Sequence, residues 1–325
     1  MTDTTATGEP PQRLYGLTVA ADFVLHQDRP APPGERVHLT VIDGEPIAEN
    51  RQTPAGQVLL DFGEEPDRWY TAVRREDSSV LLRVHGVCDF VISPDLSDVT
   101  LHLVHGTDPG MRAIMTTGTL LALQLYLRGS AVLHASAVER DGTAVAFLGH
   151  SGMGKSTLAA LMCASGARVV SDDVVPVATG EEPRVPLGAT ELRLRPGAEA
   201  VTADLAAGSF RTRLSADDRT VVGLPSPATE AVPLGAVVIP RPNRDGRMEL
   251  ELLDRKTAAF ALMSFPRLMG WRDPVVLGQV LTHLSWLARS VPVMVAHVPW
   301  GPPFREDIAP TIWAAVHRHA LAYRG

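Results

Sequence analysis

Thr143-Ala144-Val145-Ala146-Phe147-Leu148-Gly149-His150-Ser151-Gly152-Met153-Gly154-Lys155-Ser156-Thr157 passes from an apolar run into a glycine-rich loop and then into a helix-forming stretch. The first six residues read as a strand, and Lys155 to Ala164, rich in Leu, Ala and Met, reads as a helix stopped by Ser165-Gly166. Between them, Gly149 to Ser156 satisfies G-x-x-x-x-G-K-[ST] in the strand-to-helix setting that the mechanism requires. Glycines at 149, 152 and 154 let successive backbone N–H groups and the helix N-terminus face phosphate oxygens. Lys155 is placed to neutralise the β- and γ-phosphates, and Ser156 to put its hydroxyl on magnesium. His150, Ser151, Met153 and Thr157 complete the expected nucleotide-binding segment. The bland alternative is a glycine-rich turn with no ligand.

Outward from the loop, the signals continue on both sides. Upstream, Ala131 to Val138 is a strand candidate joined to the loop's own strand by Arg140-Asp141-Gly142, a tight-turn signal. Downstream, the short strand Arg168 to Ser171 ends in Asp172-Asp173. A strand-helix-strand unit brings the loop and these carboxylates to one sheet edge, because parallel strands share a direction. Adjacent side chains diverge, so one carboxylate can face a metal and the other the attacking group. An Asp pair that merely forms a turn or caps a helix is the competing explanation.

The rest of the chain bounds the answer. Its 325 residues exceed the usual single-domain size, so a large core with a smaller domain is expected. A formal charge of -7 gives no electrostatic reason to expect nucleic acid or an anionic membrane as partner. Two isolated cysteines, Cys88 and Cys163, argue against a disulfide framework or a cysteine-ligated zinc. Residues 1–12 read as a disordered tail without a secretion-signal layout, which implies a cytoplasmic chain. Residues 13–110 carry short apolar runs such as Gly16 to Val24, Val37 to Ile42, Val80 to Val84 and Val99 to Val104, and predict a β-rich N-terminal domain. Residues 111–130 predict a buried connecting helix, too short and polar to span a bilayer, and 131–325 the catalytic domain. The expected class is α/β or mixed α+β, with strands at Ala236 to Ile239, Met248 to Leu253 and Pro292 to Val298, and helices at Lys256 to Ser264, Val276 to Arg289 and Glu306 to Tyr323. The polar stretch Ser209 to Val232 is read as a mobile loop over the site.

Three pieces of the sequence together resemble the HPr kinase/phosphorylase family, whose fold is shared with ATP-dependent phosphoenolpyruvate carboxykinase. Leu133-His134-Ala135-Ser136-Ala137-Val138 is similar to the family's histidine-bearing strand, Gly149 to Thr157 to its loop, and Ser171-Asp172-Asp173 to its Ala-Asp-Asp. The likeness covers roughly residues 131–196. It implies that Asp173 is the general base and that Asp172 helps hold Mg2+. Glu191-Leu192-Arg193 is similar to the family's Glu-Ile-Arg, which makes Glu191 a candidate metal ligand and Arg193 a candidate phosphate contact. His134 is either a residue near the phosphates or a satisfied core histidine. Neither a Leu-Glu-Ile-Arg-Gly-Leu-Gly run nor a Pro-Gly-Arg-Asn segment occurs, which speaks against HPr as substrate, while the β-rich N-terminus, the Arg-Gly-Ser-Ala-Val-Leu-His-Ala run from Arg128 and Ser-Asp-Asp-Val-Val-Pro-Val from Ser171 look more like a subgroup of shorter relatives. Several of those accompany lasso-peptide and other ribosomal-peptide biosynthesis, and the characterised type phosphorylates a serine of the precursor.

The expected function is therefore an ATP- and Mg2+-dependent kinase acting on a serine hydroxyl of a peptide or small protein. Two alternatives stay open: a nucleotide-gated regulatory or transport ATPase with no phosphorylated acceptor, and a small-molecule kinase. The family also makes a homo-oligomer a candidate assembly. Arg267 and Arg289 are candidates for transition-state charge or for helix-end capping. Trp271, Trp286, Trp300 and Trp313 are expected as core or groove walls, since no basic stripe surrounds them in sequence.

Overall fold

The computed structural model describes residues 9–49, 51–189, 191–195, 211–227, 229–243, 246–301 and 303–323. The chain forms two compact units, Met1–Arg128 with Leu268–Gly278, and Gly129–Arg267 with Gln279–Gly325. Most of the expected tail, 1–12, lies outside the described residues, but Gln12 already opens the first strand.

Among the described residues, the first unit holds one eight-stranded sheet. Its strands are β1 (Gln12–Leu14), β2 (Leu17–Ala21), β3 (Leu39–Asp43), β4 (Gln57–Phe62), β5 (Tyr70–Arg74), β6 (Val80–Val84), β7 (Cys88–Ile92) and β8 (Asp98–Leu103), in the order β1-β2-β3-β8-β7-β6-β5-β4. From β4 to β8 the chain is an antiparallel meander. The expected connecting helix is interrupted: α1 (Met111–Met115) and α2 (Leu121–Leu127) flank a π-helical turn, Thr116–Leu120. The segment Leu268–Gly278 belongs to this unit. The reason is an added backbone edge on β4, where the N–H of Asp61 donates to Gly270 O and the N–H of Arg272 to Leu59 O. Trp271 packs there on Tyr126, with ring centroids 4.9 Å apart.

The second unit is built on a mixed sheet with an apolar core on each face. Its elements are β9 (Ala131–Leu133), β10 (Ala135–Arg140), β11 (Thr143–Leu148), α3 (Lys155–Ala164), β12 (Arg168–Ser171), β13 (Val175–Val177), β14 (Arg184–Pro186), β15 (Glu191–Leu194), β16 (Arg211–Leu214), β17 (Thr220–Gly223), β18 (Ala231–Asn243), β19 (Glu249–Leu252), α4 (Arg255–Met263), α5 (Pro274–Ser290, counted here from Gln279), β20 (Val293–Pro299) and α6 (Ile308–Tyr323). The main path runs β12-β10-β11-β18-β20-β19, with β14 added on β18. Period-two alternation divides the residues of β11, so that Val145 and Phe147 enter the core with α3 and α6. Ala144, Ala146 and Leu148 enter the opposite core with α4 and the later turns of α5.

Two details of this sheet position the site. The expected single strand 131–138 is split at His134: β9 pairs with β13, whereas β10 pairs with β11 and β12. The turn between β10 and β11 is the two-residue hairpin read from sequence, with Asp141 and Gly142 at φ 54° and 77°. The loop strand β11 and the aspartate strand β12 are not neighbours, because β10 lies antiparallel between them. They still run parallel to each other, and the start of β10 meets the ends of both, with Ala135 opposite Leu148 and Ala137 opposite Ser171.

The expected mobile loop at Ser209 to Val232 is corrected for its described part. Residues 209–210 lie outside the described residues, but β16 and β17 form a hairpin that joins β15 in a three-stranded sheet. Its polarity in sequence reflects a one-sided layer, whose Leu192, Leu194 and Val222 are buried in the core against α3. No helix among the described residues is long and apolar enough to cross a membrane.

Candidate phosphate site

The loop Gly149–Thr157 leaves β11 and closes onto the first turn of α3. Gly152 and Gly154 sit at φ 90° and 86°, a left-handed conformation that side chains rarely adopt. Gly154 is also sterically required, because a Cβ there would overlap the ring of Trp300. Lys155 is nearly buried at 6% exposure, and its Nζ donates to the carbonyl of His150 at 3.1 Å. Burial pulls its pKa down to about 8, against the opposing pull of Asp173 and Asp172.

The two aspartates point to different partners. Asp172, 5% exposed, accepts from the hydroxyls of Ser136 and Ser156 on Oδ1, the latter at 3.0 Å, and from the N–H of Arg193 on Oδ2 at 3.1 Å. Asp173 takes a left-handed φ of 70°, which turns its side chain away from that set. Its Oδ2 accepts from Nε and Nη2 of Arg267 at 3.0 and 2.7 Å, and its Oδ1 faces Nε2 of His134 at 3.1 Å. Partial burial would raise the pKa of Asp173, but Arg267, His134 and Lys155 outweigh it and hold the carboxyl well below its usual range. Burial lowers the pKa of His134, against the opposing pull of the Asp173 carboxylate that its Nε2 faces.

Lys155, Ser156, Asp172, Asp173 and His134 share one cavity of about 260 Å³, whose lining also includes Arg193, Arg195, Arg219, Trp300 and Phe304. Arg195 donates to Ser151 Oγ at 2.5 Å, while Arg193 and Arg219 both pair with Asp217. Sequence reasoning singled out Lys155, Ser156, Thr157, Asp172, Asp173, His134, Ser151, Gly152, Gly154 and Arg193, and all line this cavity. The remaining loop residues Gly149, His150 and Met153 shape the loop from behind: Met153 packs on Gly149, and the His150 ring packs on Phe265 at 4.7 Å.

Glu191 is placed differently. Its carboxylate is gripped by Arg213 through Nε at 3.2 Å and Nη2 at 2.6 Å, and it is not among the cavity-lining residues. Arg289 is exposed near the end of α5 and also stays out of the lining. Sequence reasoning missed Ser136, Arg195, Arg219 and Phe304, and it left the partner of Arg267 unknown. For Ser136 a signal existed, since polar residues at 134 and 136 alternate with apolar 133, 135 and 137.

Among the described residues no group of three His, Cys, Asp or Glu side chains is arranged to hold a metal. The oxygens of Ser136, Ser156 and Asp172 nevertheless lie within 3.4 Å of one another. A hard, all-oxygen set supplied by a hydroxyl and one carboxylate fits Mg2+, which keeps several waters and takes substrate phosphate oxygens for the rest.

No family model matches the sequence, and no curated protein matches it. A solved structure, the HPr(Ser) kinase/phosphatase from Coxiella burnetii, is similar over 60% of this chain and 99% of that chain, at 12% identity and a TM-score of 0.31. A likeness of that degree leaves the chemistry to be argued from the cavity itself.

Proposed function

We propose that the second unit is a phosphotransferase that moves the γ-phosphoryl group of ATP, bound with Mg2+, to a serine hydroxyl of a peptide or small protein. The observation that carries this reading is the divergence of Asp172 and Asp173 within one cavity shared with the glycine-rich loop. Ser156 and Asp172 would hold the Mg2+, which when bound neutralises charge on the β- and γ-phosphates. Lys155 and the loop N–H groups bind and orient the triphosphate, and Arg193 and Arg195 add positive charge on the facing wall. Asp173 accepts the hydroxyl hydrogen of the acceptor, aligns its oxygen for in-line attack, and takes the proton as the new bond forms. Its depressed pKa keeps it anionic and makes it a weak base, which suits a loose transition state in which the nucleophile loses its proton late. His134 and Arg267 fix the carboxylate's orientation.

The acceptor class follows from the resemblance of residues 131–196 to the kinase family and from an open acceptor side beside Asp173, whose side chain is 34% exposed. Within that class, a ribosomal precursor peptide is the favoured substrate. The test is incubation with γ-labelled ATP, Mg2+ and a panel of serine peptides, small proteins and metabolites, read by mass spectrometry. The expected result is one phosphate gained on a peptide serine, lost in Lys155→Ala. Phosphate release with no labelled acceptor would replace this reading with a nucleotide-gated ATPase, and a labelled metabolite with inert peptides would replace it with a small-molecule kinase.

A further inference from the structure

Resting on the nucleotide reading above, we propose that Trp300 and Phe304 form the platform on which the base of the donor nucleotide stacks. Both rings line the cavity that contains the glycine-rich loop, and both are only partly buried. They meet edge to face, with centroids 5.4 Å apart and planes at 88°, so together they make an aromatic corner. The backbone of Trp300 is anchored where β20 ends, its N–H donating to Asn243 O at the end of β18. Its indole then lies against Gly154 so closely that any side chain at 154 would overlap it.

The direction of the nucleotide decides what this corner contacts. Gly154 and Thr157 flank Lys155 and Ser156, the residues that take the β- and γ-phosphates. The acceptor end of the cavity is marked by Asp173 and His134, with Arg267 holding the Asp173 carboxylate from beyond the lining. A triphosphate with its γ-phosphorus beside Asp173 and its phosphates along the loop would bring its ribose and base into the part of the lining where Trp300 lies against Gly154 and Phe304 packs on Trp300. Every base has a π face, so stacking binds without reading a hydrogen-bonding edge, and the larger purines gain most. In sequence no basic stripe surrounds the tryptophans, but the fold puts Arg195 and Arg219 in the same lining as Trp300, the mixture of charge and aromatic surface that a nucleotide needs.

The test is calorimetric titration of the full chain with Mg2+ and three ligands: the imido analogue of ATP, the imido analogue of UTP, and inorganic tripolyphosphate. Wild type should bind the adenine analogue more tightly than the uracil one, and both more tightly than tripolyphosphate. Trp300→Ala and Phe304→Ala should each weaken the adenine analogue by about tenfold or more while leaving tripolyphosphate within about twofold. Trp300→Phe, which keeps the packing on Gly154, should recover part of the loss. Parallel weakening of all three ligands would overturn the proposal, since the rings would then only brace the loop. So would unchanged affinity for the adenine analogue in folded variants, because the base would lie elsewhere. Wild type binding tripolyphosphate and both analogues equally would remove the platform while sparing the phosphate site. Wild type binding none of the three would instead remove the nucleotide reading, and the platform with it.

Discussion

Asp172 and Asp173 are consecutive in sequence and occupy two different chemical regions. Around Asp172 all the donors are neutral: two serine hydroxyls and a backbone N–H. Around Asp173 they are an arginine and a histidine, and the side chain keeps about a third of its surface exposed, 34%. Hydroxyls rotate, so the first region can release its carboxylate oxygen to a cation without losing charge balance. A guanidinium cannot be deprotonated, so the second region keeps its carboxylate anionic and aimed at the cavity. On the proposed function, one residue type would serve as ligand in one place and as proton acceptor in the next, set apart by the charge of its neighbours.

The sharpest way to break this comparison is to neutralise each carboxylate in turn. Asp173→Asn should cut phosphoryl transfer by roughly 10² to 10⁴ while nucleotide affinity holds. Asp172→Asn should weaken Mg2+-dependent nucleotide binding by about 10- to 100-fold, and added Mg2+ should recover part of its turnover. Transfer kinetics and calorimetry on the two variants would show the split; matching losses in both quantities would mean that the carboxylates act as one group.

A smaller effect sharpens the second region. Arg267 holds the Asp173 pKa down, so Arg267→Met should raise it, and activity that needs the carboxylate should begin to fail at a higher pH as the medium is acidified. The acid limb of the pH–rate profile should move to higher pH. A uniform loss at every pH, with the limb unmoved, would assign Arg267 to the transferred phosphate.

The smallest effect concerns Lys155. Its pKa near 8 without nucleotide means that it is largely neutral at about pH 9, and a bound phosphate should restore the proton. Titrations at about pH 9 in buffers of different ionisation heat should show uptake of up to about one proton per nucleotide, absent in Lys155→Arg. A heat independent of buffer would show that Lys155 is already charged in its buried site. The same shift gives the nucleotide-free fold a stability that rises between about pH 8 and pH 10.5, since the unfolded chain binds more protons over that window.

The loop and the Asp pair were legible because their chemistry is local: a phosphate cradle and a carboxylate pair are written within a few residues of each other. His134 stayed ambiguous in sequence, since its partner is a side chain in the bend that follows another strand. The partner of Arg267 was invisible because 94 residues separate the two. Arg195, Arg219 and Phe304 share the lining only after the three-stranded sheet and the turn following β20 have packed, which no spacing encodes. The β16 and β17 hairpin was misread as a loop because its charged residues outnumber its few buried ones. The β-rich character of the first unit was readable from its punctuated apolar runs, whereas the return of Leu268–Gly278 to that unit depends on a backbone pairing with β4 that carries no side-chain signature.

His134 serves the molecule twice. Its ring holds Asp173, while its backbone N–H donates to Phe265 O at 3.0 Å and its carbonyl accepts from Gly149 N at 3.4 Å. The first of those amides ties down the segment leading to Arg267, and the second ties down the root of the loop. Reactivity and scaffolding at this position are therefore genetically separable. An alanine codon would silence the imidazole and leave both tethers in place, whereas a proline codon would also delete the N–H and release the arginine's mooring.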